Sequence, residues 1–275
     1  MSGPGPGEAR VSSVRWLSER VRIVTAPNPS PMTLEGTNTY IVGNGSSVIV
    51  IDPGPNDDGH LASIEAAVGG ADAVAVLLTH HHIDHDEAAG RAAAMLGTVV
   101  ASNADPERPS EIPVRDGERF GRDGAYLTAV ATPGHSSDHL CFLLPEERAL
   151  FTGDHILGRG TTVVAFPDGD MGAYMASLER VRTIGAARFY PGHGPVVDDP
   201  AAVVDEYIEH RRMRERQVMD GLAAGPATPG ELVARIYADV DPVLHPVAEM
   251  SVRAHLAELA QRGRAVQDGD RWRRI

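Results

Sequence analysis

The stretch Thr79-His80-His81-His82-Ile83-Asp84-His85 concentrates imidazole and carboxylate groups within a few residues. These are the ligand types suited to zinc and similar first-row ions. They do not form a core pattern, because burying such groups unpaired is costly. Two readings remain: a metal-binding loop, or a surface histidine cluster that takes up metal adventitiously. Three later segments bear on the choice, Thr132-Pro133-Gly134-His135, Gly153-Asp154-His155 and Pro191-Gly192-His193-Gly194. Each ends a β-like run in a Gly-shaped turn that carries a potential ligand. A lone histidine after a strand is ordinarily structural or exposed. Three such turns in addition to the cluster favour a metal centre.

Positioning these groups requires strand ends. The cluster follows the β-like run Val74–Leu78, and a loop leaving a strand end can aim several side chains at one point. Further short runs bounded by Gly, Pro and Asp read as strands: Arg20–Thr25, Thr39–Val42, Val48–Ile51, Tyr126–Ala131, Leu140–Leu144, Ala149–Phe151 and Arg188–Tyr190. Leu61–Val68, Glu87–Leu96 and Met171–Ile184 read as helices, the last with Tyr174, Leu178 and Val181 on one apolar face. Strands interleaved with helices predict sheets covered by helices on the outside. After Asp199 the texture changes. Ala201–Leu222 is a long helix with an Arg211–Glu215 pair at i,i+4. Thr228-Pro229-Gly230-Glu231 is a helix start, with Thr as N-cap and Glu three residues on. Val247–Arg262 is a third helix, stopped by Gly263, and Arg264–Ile275 is a hairpin turning at Asp268-Gly269. Three helices and a hairpin predict a winged-helix-like module.

The pattern HxHxDH, followed by His, Asp and His at the three turns, resembles the metallo-β-lactamase superfamily. The resemblance implies an α/β fold, an αββα sandwich, here with a small C-terminal winged-helix-like domain. It implies that His80, His82 and His135 hold one metal ion, that Asp84, His85 and His193 hold a second, and that Asp154 bridges them. His81 is the variable position of the motif. His139 and His155 are candidates for orienting the ligands. Two zinc ions are the expected cofactors, with manganese or iron as alternatives. Two metals about 3.5–4 Å apart can share a water and lower its pKa from about 15.7 toward about 7, giving hydroxide at neutral pH. The resemblance also makes Asp84 the residue that orients this nucleophile and passes its proton on. The chain is expected to divide into a disordered lead-in over 1–19, a catalytic domain over 20–200 and the winged-helix-like domain over 201–275.

Gly36-Thr37-Asn38-Thr39-Tyr40, Gly158–Thr162 and Tyr207-Ile208-Glu209-His210-Arg211, together with the tail, resemble the lactamase-like subgroup that includes the mitochondrial endoribonuclease and its bacterial relatives. On that likeness the expected activity is endonucleolytic cleavage of single-stranded RNA. The alternative is thioester or carboxyl-ester hydrolysis of the glyoxalase or acyl-carrier thioesterase type. In either case Arg159, Ser136 and Ser137 could bind an anionic tail; the substrate contacts themselves are unknown. Hydrolysis of β-lactams is disfavoured, because the familiar periplasmic lactamases are secreted and one group carries a cysteine where Asp154 stands. A non-catalytic regulator with a relic hydrolase domain is disfavoured by the presence of all seven ligands.

Composition bounds these readings. The chain has 275 residues, 42% of them hydrophobic, enough for one substantial domain and a smaller one. Its net charge of −13 excludes a general nucleic-acid coating protein. All 25 basic residues are arginine. Those of Arg211-Arg212-Met213-Arg214-Glu215-Arg216 could touch phosphates, but the favoured reading is a solvated helix face. Residues 201–275 carry 11 Arg against 12 Asp and Glu, so the tail is less acidic than the rest without being basic. A single cysteine, Cys141, lies in an apolar run; it excludes an intrachain disulfide and fits a reducing cytoplasm. No apolar run approaches the roughly 18–20 residues that cross a bilayer, and the N-terminus lacks a secretory h-region. The sequence gives no indication of oligomeric state.

Overall fold

The structure, a computed structural model, describes residues 13–104 and 110–275. The expected disorder of Met1–Arg10 lies outside the described residues. The chain forms two compact units. The first comprises residues up to Ala131, Leu140–Arg159 and Arg188–Val197; the second comprises Thr132–His139, Gly160–Ala187 and Asp198–Ile275.

The first unit is built on two sheets. One has seven strands: β1 (Arg15–Trp16), β2 (Val21–Thr25), β3 (Asn38–Val42), β4 (Ser47–Ile51), β5 (Asp72–Leu77), β6 (Val100–Asn103) and β7 (Ile112–Val114), in that spatial order. Its first four strands are antiparallel, and β4 to β7 run parallel. β1 lies in the lead-in expected to be disordered and pairs with β2, so that expectation does not hold for the described part of the segment. Parallel pairing needs crossovers. Two are supplied by α1 (Asp58–Val68), between β4 and β5, and by α2 (Ile83–Asp86) with α3 (Ala89–Leu96), between β5 and β6. The second sheet has β8 (Arg119–Arg122), β9 (Ala125–Ala131), β10 (Leu140–Leu144), β11 (Ala149–Gly153) and β12 (Arg188–Pro191), ordered β12-β11-β10-β9-β8.

Alternation along the strands separates two cores. Ile23, Tyr40, Ile49, Ile51 and Leu77 pack against Leu127, Phe142, Phe151 and Tyr190 between the sheets. Val24, Ile41, Val48 and Val50 face the other way, against Leu61, Ile64 and Ala92 of α1 and α3. Cys141 is fully buried in β10, its Sγ 3.7 Å from the Thr152 carbonyl oxygen.

The strands β6, β7 and β8 have no counterpart among the sequence-based expectations. β7 and β8 are edge strands, where Pro113 and Gly121 are tolerated and apolar alternation is weak. The expected helix Glu87–Leu96 is α3, which starts two residues later at Ala89; the separate turn α2 precedes it and carries Asp84 and His85.

The second unit contains α4 (Met171–Ile184), α5 (Pro200–Ala223), α6 (Pro229–Ile236), α7 (His245–Gln261) and a hairpin of β13 (Ala265–Asp268) and β14 (Arg271–Arg274). Thr228 caps α6 in a complete capping box with Glu231. Val218, Leu222, Leu232, Val252, Leu256 and Ala265 form its core. The expected Arg211–Glu215 pair does not form: Glu215 binds Arg262 and Arg264, while Arg211 is buried. No helix among the described residues is long and apolar enough to cross a membrane.

Candidate metal centre

The first unit brings its ligand-type residues to the ends of β5, β11 and β12. The chain leaves β5 in extended form through Thr79 to His82, and His82 caps the single turn of α2. That turn presents Asp84 and His85. The His80 ring lies 4.5 Å from that of His82 and 4.4 Å from that of His85, centroid to centroid. The turns after β11 and β12 supply Asp154 and His193.

Four donor atoms converge. His85 Nε2 and His193 Nε2 are 3.2 Å apart, and each is 3.4 Å from Asp154 Oδ1. Asp84 Oδ2 is 3.1 Å from His193 Nε2 and 3.8 Å from His85 Nε2. A tetrahedral zinc with bonds of about 2.1 Å would set its ligand atoms about 3.4 Å apart, so the spacing fits coordination of a cation. His80, His85 and Asp154 form a second, overlapping set with ligand atoms within 4.8 Å of one another. The packing leaves no room for a larger residue at position 192. A Cβ on Gly192 would lie 2.8 Å from both Asp154 Oδ1 and His85 Cε1.

Hydrogen bonds fix which nitrogen faces the cluster. Asp52, at the end of β4, accepts from Thr79 N at 2.8 Å and from Thr79 Oγ1 at 2.7 Å. The Thr79 hydroxyl proton is thereby used, so Oγ1 accepts from His80 Nδ1, 3.0 Å away. Asp52 Oδ2 also lies 3.0 Å from His85 Nδ1. His193 Nδ1 donates to the Gly36 carbonyl oxygen at 3.3 Å. In all three rings Nδ1 is the donor, which leaves Nε2 facing the cluster, the arrangement metal-ligating histidines require once Nε2 is free of its proton. Asp52 itself stands in the left-handed region, at φ 50°. Its carbonyl accepts from Thr39 Oγ1, which is backed by the buried His60. Burial lowers the His60 pKa to about 4, so that ring is a neutral support.

The segment Gly36–Tyr40 ties the turns together. Thr37 Oγ1 donates to the Asp84 carbonyl, Asn38 Nδ2 to the carbonyls of Pro191 and Gly194, and Tyr40 OH to Pro191. Sequence reasoning picked out this segment but not Asp52 or His60, whose types at a strand end and on a helix do not mark them, and it named Thr79 without its role.

Electrostatics follow from the convergence. Burial pulls the His193 pKa down, but Asp154 and Asp84 outweigh it and raise it to about 9. His85 is pushed up against the same burial by Asp154 and Asp52. Burial raises the pKa of Asp154, and the two imidazoles overcome that to hold it well below the usual carboxylate range. Asp154 is thus favoured as a carboxylate and the two imidazoles as cations. A cation can replace those protons.

His135 belongs to the second unit. Its Nδ1 donates to the Val163 carbonyl at 2.7 Å, which again leaves the lone pair on Nε2. His139 is buried there, with Nδ1 2.9 Å from Thr132 Oγ1. His155 is buried in the first unit, and His81 is half-exposed. The groups expected to bind an anionic tail are already engaged. Ser136 and Ser137 donate to Asp138 and Asp168, and Arg159 is paired with Glu35 at 2.5 Å.

The sequence matches the family model of the metallo-beta-lactamase superfamily over residues 32–91 and 86–193, and that of the beta-lactamase associated winged helix domain over 228–272. It is 35% identical to a beta-lactamase-like protein 2 homolog of Caenorhabditis elegans, over 94% of this chain and 90% of that one. It is 40% identical to an atrochrysone carboxyl ACP thioesterase of Aspergillus fumigatus, over 80% of this chain and 74% of that one. Among solved structures it resembles a metallo-beta-lactamase family protein from Thermus thermophilus, with a TM-score of 0.80 and 24% identity, covering 94% of this chain and all of that one.

Proposed function

The chain belongs to the metallo-β-lactamase superfamily of hydrolases, and from that premise we propose that it hydrolyses an acyl thioester. The observation that carries this reading is the 40% identity to an acyl-carrier thioesterase over most of both chains. The surroundings of the ligands agree with it. Ile83, between His82 and Asp84, is 69% exposed, so an apolar side chain stands in solvent beside the centre, as an acyl chain would require. Arg159, which could have met a phosphate, is neutralised by Glu35.

The proposed ligand set is that of the motif: His80, His82 and His135 for one ion, Asp84, His85 and His193 for the other, and Asp154 for both. Metal ions held there, zinc by default, would supply Lewis acidity and activate water at neutral pH. The side chains supply the rest. Asp84 is the more open carboxylate, its side chain 28% exposed against 12% for Asp154. It takes the proton from the attacking water as the new C–O bond forms at the acyl carbon. The C–S bond then breaks, and Asp84 returns the proton to the departing thiolate, leaving a carboxylic acid and a thiol. Asp52 holds the His85 ring through each step. The lone buried cysteine agrees with a cytoplasmic setting.

The second reading, cleavage of single-stranded RNA, rests on the subgroup likeness and the winged helix. The test is metal-loaded protein assayed on an acyl thioester and on a fluorescent single-stranded RNA, with Asp154→Ala as control. Thioester turnover that is lost in the control supports the proposal. RNA cleavage without thioester turnover replaces it with the second reading.

A further inference from the structure

The second unit holds a buried site that the hydrolase chemistry does not use. A cavity of about 380 Å³ is walled by Met171 and Met175 of α4, Arg211 of α5, and His255, Glu258 and Arg262 of α7. Arg211 is 3% exposed. Its guanidinium donates to the Thr162 carbonyl and lies over the Tyr174 ring, 5.3 Å from the centroid. Its Nε has no hydrogen-bond partner, and no carboxylate pairs with it among the described residues. His255 is 2% exposed, and neither of its ring nitrogens has a partner among the described residues.

The other arginines that line the cavity differ. Arg262 is paired with Glu215 and Glu258, Arg212 with Glu179, and Arg216 with Glu209. Among the arginines of this cavity, Arg211 is buried with no carboxylate as counter-charge, a costly state unless something compensates it. Polar atoms buried with no partner call for an explanation, which a water, an ion or a ligand can supply. The first turn of α4 borders the cavity at Met171 and Gly172; its N–H groups have no acceptor within the helix, and that of Ala173 already donates to the Asp170 cap. The Glu258 carboxylate stands against Gly172 and is balanced by Arg262, its ion-pair partner at 3.1 Å.

We propose that this cavity binds a phosphate group, with Arg211 and His255 as its buried donors. A tetrahedral phosphate can accept from donors that arrive from α4, α5 and α7 at once, whereas a carboxylate offers two oxygens in one plane. Met171 and Met175 supply an adaptable apolar wall beside the donors, so an organic phosphate ester fits as well as the free ion. The proposal does not rest on the thioesterase reading.

The test is calorimetric titration of the metal-loaded full chain with inorganic phosphate and with phenyl phosphate. Because phosphate can also bind metal ions, Asp154→Ala separates the two sites. Saturable binding is expected to survive in Asp154→Ala and to weaken at least tenfold in both Arg211→Met and His255→Phe. Tighter binding of phenyl phosphate would identify an organic ester as the source, and tighter inorganic phosphate the free ion. Binding abolished by Asp154→Ala but unchanged in the cavity variants would overturn the proposal, as would no saturable binding at millimolar phosphate. Should the variants fail to fold, NMR on the wild-type protein decides, because His255 ring signals unmoved by phosphate overturn it equally.

Discussion

His193 in the first unit and His255 in the second are both inaccessible to solvent, and their surroundings drive them in opposite directions. His193 faces Asp154 and Asp84, which overcome burial and raise its pKa to about 9. Burial lowers the pKa of His255 to about 3, and Arg211, His210, Arg262 and Arg214 push it the same way. One site is a set of anions and imidazoles from which a cation can displace protons; the other joins a neutral imidazole to a buried arginine that no carboxylate pairs with, beside the Arg262–Glu258 pair. The comparison shows that burial alone does not define a functional histidine. The sign of the charge around it decides which ligand would complete it.

The change that would damage the first region most is Asp154→Ala. It removes the carboxylate shared by His85 and His193, and turnover is expected to fall by three or more orders of magnitude, about 4 kcal/mol or more of barrier. Metal content by mass spectrometry should fall with it, while phosphate binding in the second region stays. Asp52→Ala comes next. It removes the acceptor of both Thr79 and His85 without touching a ligand atom, and a loss of about 10–100-fold in metal affinity is expected by chelator competition. His81→Ala should change affinity less than threefold, on the order of 0.6 kcal/mol or below. A loss as large as that of His80→Ala would show that the ligand positions are misassigned.

Proton linkage gives the two regions opposite slopes. Metal uptake must displace the His193 proton, so metal affinity should rise with pH through the neutral range and level off near pH 9. In the metal-free protein, the stability gained from protonated His193 is complete below its unfolded pKa of 6.5 and is lost as pH rises through about 9. For His255 the direction reverses. Its folded pKa is depressed, so its contribution is complete above 6.5 and is lost as pH falls toward about 3. His255→Phe should therefore flatten the acid limb of thermal stability in phosphate-free buffer. An unchanged acid limb would mean that His255 is not buried in its neutral form.

The sequence was most legible where local chemistry decides. Leu140–Leu144 and Met171–Ile184 have the bounds their patterns predict, and Thr228 and Glu231 form the predicted capping box. Asp52 was not legible, because an aspartate before Pro53-Gly54 reads as a turn residue. Its role arises only when β4 and β5 pair in parallel with Ile51 opposite Leu77, which brings Asp52 to Thr79. Arg211 was misread for a different reason. Its neighbours Arg212 and Arg216 are exposed as expected. Yet Arg211 continues the helical stripe of Val204, Tyr207 and Ile208 that is buried. Periodicity carried that signal, and charge concealed it.

The smallest expected effect separates stability from binding within the second region. Thr228→Ala removes the side-chain acceptor for Glu231 N and half of the capping box, which should cost about 1 kcal/mol. α6 packs on α7 through Leu232, Val233 and Leu256, so the loss should appear as a lower thermal midpoint. Arg211 and His255 lie on α5 and α7, and neither bonds to the cap. Phosphate affinity and metal content are therefore expected to match wild type at temperatures well below the midpoint. If phosphate affinity instead fell tenfold with the cap, the cavity would depend on the α6 fold as a whole rather than on its two buried donors. The contrast between a charge-completed metal centre and a charge-deficient cavity would then have to be redrawn around the packing of α6.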